Sequence, residues 1–227
     1  MTRPELPDPY PFGLFSCAAA LFDLDGTLID SERVNRAAWR SFFDSRGWEV
    51  SEQTYAEHFI GRRGADTFRA LDGPWQGHDP DALQAEVLTH LAEIDLRPEP
   101  MRGAAQLIRS VRAKGIPVGV VTSAVRPWVD SSLDVLGVTD LVSIVVSAED
   151  VATGKPEPEG YLLACRRLGA APGRVVAFED SSSGVAAAVA AGIRPVIGVL
   201  TTTSAQALRA AGAHHIVDDL ASVGGSQ

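Results

Sequence analysis

The stretch that decides the fold is Ala18-Ala19-Ala20-Leu21-Phe22-Asp23-Leu24-Asp25-Gly26-Thr27-Leu28. An apolar run leads straight into two carboxylates one residue apart. A short apolar run bounded by a turn signal reads as a buried strand, and Gly26-Thr27 marks its end. Asp23 and Asp25 are therefore expected at the mouth of a strand, on the edge of a sheet. Two carboxylates buried together are costly, because each disfavours the charge on the other. A divalent cation relieves that cost, and carboxylates of this kind suit Mg²⁺.

Beyond Leu28 the pattern turns helical. Ser31-Glu32 followed by Val34, Ala37, Ala38 and Trp39 opens an amphipathic helix. Helical patterns recur near 51–59, 64–71 and 80–95, broken by Gly47, Gly61, Gly64 and Asp72-Gly73-Pro74. No strand pattern stands out between 31 and 97, and Arg97-Pro98-Glu99-Pro100 reads as a linker. From about 103 the texture alternates. Helices are expected at 103–113, 126–136, 157–168, 182–191 and 204–211, and strands at 117–121, 143–146, 174–178, 195–199 and 215–217. Such alternation argues for a parallel sheet covered on both faces. The expected fold class is α/β: a Rossmann-like parallel sheet core from 16–30 and 99–227, with a helical cap inserted over 31–98. Residues 1–15, rich in proline, are expected to lie loosely on the surface.

The 227 residues suffice for one sizeable core with a smaller insertion. A net charge of -9 argues against nucleic acid or an anionic membrane as partner, though an acidic surface can still hold a local positive pocket. No segment approaches the roughly 20 apolar residues of a membrane span, and the amino end has no signal-peptide pattern. With two cysteines, Cys17 and Cys165, the expectation is a cytoplasmic protein without a disulfide framework.

Four polar clusters fall at expected strand ends: Asp23 with Asp25, Thr122-Ser123, Gly154-Lys155-Pro156, and Glu179-Asp180. Each alone has a plainer reading. Asp25 could cap a helix, Gly-Lys-Pro is usually a turn with a solvated lysine, and Glu179-Asp180 could simply favour a helix N-terminus. A parallel sheet, however, brings all four to one side. Four acids, a lysine and two hydroxyls are what phosphoryl transfer from an organic phosphate needs.

Taken together, Asp23-Leu24-Asp25-Gly26-Thr27-Leu28, Val121-Thr122-Ser123, Gly154-Lys155-Pro156 and Phe178-Glu179-Asp180-Ser181 with Gly184 resemble the haloacid dehalogenase superfamily of phosphohydrolases, in its branch with a small helical cap. The resemblance spans about 18–220. It implies Asp23 as the nucleophile that becomes an aspartyl-phosphate and Asp25 as general acid, then base. It implies Mg²⁺ held by Asp23, Asp180 and the Asp25 backbone carbonyl, with Glu179 as a further ligand or a support behind them. Thr122 and the Ser123 backbone would bind phosphate, and Lys155 would balance charge. The implied partner is a small phosphorylated metabolite, acted on by a monomer. Arg62 and Arg63, in the cap loop Gly61-Arg62-Arg63-Gly64, suit a substrate phosphate or polyol hydroxyls. Related phosphoglucomutases carry a histidine twelve residues after the nucleophile. This chain has Asn35 there, which favours a hydrolase of sugar or polyol phosphates over a mutase. A metal-independent 2-haloacid dehalogenase would not be expected to carry Asp25, and a fold that had become a binding protein would lack one of these groups.

Overall fold

The computed structural model of the chain describes Leu14, residues 16–95 and residues 98–223. The expected loose segment 1–15 lies, apart from Leu14, outside the described residues, as does Arg97 of the expected linker. Leu14 itself is fully buried in the core.

Six strands form one sheet: β1 (Ala19–Phe22), β4 (Val118–Val121), β5 (Val142–Val146), β6 (Val175–Glu179), β7 (Val196–Val199) and β8 (His215–Val217). Their order is β5-β4-β1-β6-β7-β8, and every neighbouring pair is parallel. β1 is apolar throughout because it is covered on both sides. Ala20 and Phe22 enter one core with α5 (Ala104–Ala113) and α6 (Arg126–Leu136). Ala19 and Leu21 enter the other, with α7 (Glu159–Leu168), α8 (Ser182–Ala190) and α9 (Ala205–Ala210). The alternation of period 2 is present, but neither face is polar. Across the β1–β6 pair, Phe22 lies opposite Phe178, and their rings stack 4.7 Å apart.

Between β1 and α5 the chain makes an excursion of four helices: α1 (Glu32–Arg46), α2 (Glu52–His58), α3 (Gly64–Ala70) and α4 (Pro80–Glu93). They close around their own aromatic cluster, which includes Trp39, Phe42, Phe59, Phe68 and Trp75. Local signals set the ends. Asp79 accepts the Asp81 N–H at the start of α4, with Pro80 in the first turn. Gly47 closes α1 in the left-handed region. Phe42 is fully buried among these rings. Phe42→Ala is expected to cost about 3–5 kcal/mol, read as a shifted urea midpoint; an unchanged midpoint would contradict this packing.

The expected linker takes a different form. Glu99–Pro100 is a short strand, β3, which pairs antiparallel with β2 (Ile29–Asp30), and the Met101 N–H adds a bond to Leu28 O at 2.9 Å. The proline-rich composition hid the strand, because the pairing is supplied by residues some seventy positions earlier. No helix among the described residues is long and apolar enough to cross a membrane.

Candidate active site

The order β4-β1-β6 and the parallel direction bring three strand ends side by side. Asp23 directly follows β1, Thr122 directly follows β4, and Glu179 closes β6 with Asp180 next. Open parallel sheets place ligands at this edge. Lys155 enters from the loop after β5 and is buried. Its Nζ donates to Asp23 Oδ1 at 2.5 Å and to Glu179 Oε1 at 2.6 Å. The Tyr161 hydroxyl, from α7, donates to the same Glu179 oxygen.

Asp23, Glu179 and Asp180 each bring a carboxylate oxygen within 4.8 Å of the others, and all three are buried. The turn after Asp23 closes tightly over this cluster. Gly26 has φ +82°, and a Cβ there would fall 2.0 Å from Asp180 Oδ2, so the turn requires glycine. Thr27 Oγ1 donates to Asp180 Oδ1 at 3.2 Å.

Electrostatics follow from crowding. Burial raises the Asp180 carboxyl well above the usual carboxylate range, and Asp23 and Glu179 push the same way. Burial pushes Glu179 up to about 7, against the Lys155 charge. Asp23 is also raised by burial, again opposed by Lys155. For Lys155, burial alone would favour the neutral amine. The charges of Asp23 and Glu179 outweigh it, so the ammonium is held more firmly than in water. One lysine thus faces three buried acids, an excess of negative charge that a divalent cation fits.

Asp25 stands apart from that cluster. Ser31 Oγ and Trp128 Nε1 both donate to its Oδ1, at 2.6 and 2.9 Å. Burial raises its pKa too, and these donors oppose the rise. Asn35 Nδ2 donates to Ser31 Oγ at 3.4 Å, so Asn35 braces the serine that holds the acid. Thr122 is buried, its Oγ1 accepting the Ala124 N–H, while Ser123 Oγ donates to Gly61 O at 3.2 Å.

Above these groups lies a cavity of about 120 Å³, lined by Asp23, Asp25 and Trp128 from around the sheet and by Trp39, Tyr55 and Arg62 from the four-helix excursion, among others. The paired arginines part company here. Both line the cavity, but Arg62 Nε is buried with no hydrogen-bond partner. Arg63 turns to protein. Its Nε and Nη2 hold Asp66 as a fork, and its remaining N–H groups go to the carbonyls of Ala148, Val151 and Ala152. A guanidinium has five N–H donors, and all five are used, which leaves none for a ligand in this arrangement. Sequence reasoning did not single out Trp128, Tyr161 or Thr27. Trp128 lies 103 residues from Asp25 and Tyr161 sits inside an ordinary helical pattern, so neither carried a local signal. Ser31 was visible only as a helix start, and its side chain serves Asp25 instead of the helix.

The family profile of haloacid dehalogenase-like hydrolases matches residues 17–192. The chain belongs to this hydrolase family. Among its relatives, the validoxylamine A 7'-phosphate phosphatase of Streptomyces hygroscopicus subsp. limoneus is 39% identical over 190 residues, 83% of this chain and 88% of that protein. The beta-phosphoglucomutase of Mycobacterium bovis is 32% identical over 241 residues, covering 89% and 90% of the two chains. Among solved structures, a CbbY variant from Rhodobacter sphaeroides in complex with xylulose-1,5-bisphosphate superposes with a TM-score of 0.75 at 27% identity, covering 92% of this hydrolase and 97% of that chain.

Proposed function

We propose that this hydrolase is a Mg²⁺-dependent phosphatase of a small sugar or polyol phosphate, working through an aspartyl-phosphate. The observation that carries the reading is the buried set Asp23, Lys155, Glu179 and Asp180 at the foot of a cavity, with a second acid, Asp25, held separately beside it. Asp23 attacks phosphorus, the ester P–O bond breaks, and Asp25 delivers its proton to the leaving oxygen. Asp25 then takes a proton from the water that attacks the aspartyl-phosphate, which releases inorganic phosphate and restores the Asp23 carboxylate. Thr122 and the Ser123 backbone hold phosphate oxygens, and Lys155 reduces the repulsion between two anions. The carboxylates of Asp23 and Asp180, the Asp25 carbonyl and Glu179 are the groups to hold Mg²⁺, which when bound supplies charge neutralisation. Arg62 is the cap residue assigned to the substrate.

Asn35 favours hydrolysis over transfer between sugar positions. The site offers Asp25 for the first proton, and Asn35, whose amide braces Ser31, cannot carry a second. The names of the two relatives, a validoxylamine A 7'-phosphate phosphatase and a beta-phosphoglucomutase, support a small phosphorylated substrate. A monomer in the cytoplasm acting on a free metabolite completes the reading.

The test is phosphate release from glycerol, hexitol, hexose and cyclitol phosphates with Mg²⁺ present. Release is expected from part of this panel, abolished by chelator and restored by added Mg²⁺. Silence across the whole panel would overturn the reading, and isomerisation of a phosphosugar faster than release would replace it with a mutase.

A further inference from the structure

Residues 60–66 of the cap touch three separate core segments: the loop after β4, the first turn of α8 and the loop after β5. Ser123 Oγ and Ser183 Oγ both donate to Gly61 O at 3.2 Å, and the Gly154 N–H donates to Asp66 Oδ2 at 3.1 Å. Arg63 grips Asp66 and the carbonyls of 148, 151 and 152 together. Each segment adjoins a part of the site. Ser123 adjoins Thr122, Ser183 follows Asp180 closely, and Gly154 precedes Lys155. The approach is tight: Gly61 has φ +70°, and a Cβ there would lie 2.3 Å from Ser181 Oγ.

We propose that Arg63 and Asp66 form a latch through which the closed cap fixes the 148–155 loop, and with it Lys155. The idea rests on the phosphatase reading for its kinetic arm. The Gly154 amide is one residue from Lys155, and its acceptor Asp66 is itself held rigid by the two-pronged Arg63 contact. The core holds the start of this loop through the Ala148 N–H on Ala124 O and the Arg167 guanidinium on Asp150, and its middle through Glu159, which accepts the Ala152 and Thr153 N–H groups. The next backbone donor, the Gly154 N–H, goes to the cap's Asp66, beside the core's own hold on the Lys155 side chain through Asp23 and Glu179. When the cap lifts, Lys155 loses its fixed approach to Asp23. The nucleophile is then set for attack only with the cap shut over the substrate. Arg63 and Asp66 are positioning residues, and neither touches substrate.

Arg63→Ala, Arg63→Lys, Asp66→Ala and Asp66→Asn test this by two readouts. The first is amide hydrogen exchange by mass spectrometry. Exchange over 148–155 is expected to speed up in Arg63→Ala and Asp66→Ala while that of β1 and β6 stays slow. The second is turnover of a hexose phosphate and of p-nitrophenyl phosphate. A small misplacement of a catalytic group costs about 10²-fold, so kcat is expected to fall by about 10–100-fold on both substrates with KM little changed. Asp66→Asn keeps one oxygen for the Gly154 amide but loses the second prong to Arg63, so it should lose less activity than Asp66→Ala, whereas Arg63→Lys cannot span both partners and should lose as much as Arg63→Ala. Unchanged exchange over 148–155 would overturn the latch whatever the activity. So would a rise in KM confined to the hexose phosphate, which would make Arg63 a substrate contact. A wild-type enzyme inert on every ester would sink the phosphatase reading, and the exchange arm would still decide the latch.

Discussion

Asp23→Asn is expected to lower kcat by about four to six orders of magnitude, the usual consequence of removing a nucleophile, while the protein remains folded. The amide is nearly the same size as the carboxylate and cannot form the acyl phosphate. Stability should change little, for a reason visible in the site. Lys155 keeps its second partner, Glu179 Oε1, at 2.6 Å. One of the mutually repelling buried acids is also gone. The checks are phosphate release, covalent label from a radioactive phosphate ester after acid quench, and the thermal midpoint. Label retained by Asp23→Asn would place the nucleophile elsewhere.

Lys155→Met should be the most destabilising change in the site. It strips the cation from Asp23 and Glu179, both buried, and leaves their carboxylates facing Asp180. Removing one partner of a buried pair costs about 3–5 kcal/mol. In a chain of this size, each kcal/mol moves the midpoint by about 2–4 °C, so a drop of about 6–20 °C is expected. Mg²⁺ should recover part of it, because an ion bound only by the folded state stabilises by mass action. By contrast, the pair between Arg40 and Glu52 is exposed on both sides, and such pairs are worth about 0–1 kcal/mol. A midpoint for Lys155→Met equal to wild type, measured with chelator, would contradict the charge balance argued for the site.

The legible parts of this protein were those where chemistry and spacing coincide along the chain. The run into Asp23 reads as a doubly covered strand, and the structure has it as β1, central in the sheet with no polar face. The four polar clusters were each ambiguous alone, and only a parallel sheet makes them neighbours. That step was available from the alternation of strands and helices. What could not be read was which side chain satisfies which. Arg62 and Arg63 are adjacent and chemically identical. Both line the cavity, but Arg62 leaves its Nε unpartnered, while Arg63 clamps a core loop some 85–89 residues away. Periodicity says nothing about partners at that distance. Trp128 on Asp25 and Tyr161 on Glu179 escaped for the same reason. Glu99–Pro100 reads as part of a linker, and not as half of a ribbon with Ile29–Asp30, because two-residue strands leave no alternation to detect.

That ribbon has a consequence for how such an enzyme can be rebuilt. The chain enters the excursion past Ile29 and comes back at Pro100, residues that sit opposite each other in the separate two-stranded β2–β3 ribbon, a few ångströms apart. To the sheet, the whole excursion is one loop whose ends already meet, and the entropy of closing a loop grows only with the logarithm of its length. The excursion also brings its own aromatic interior. A foreign bundle, longer or shorter, could be grafted between those two positions provided it restores what the excursion lends the sheet: the Ser31 hydroxyl on Asp25, the Gly61 carbonyl for Ser123 and Ser183, and the Asp66 carboxylate for the Gly154 amide.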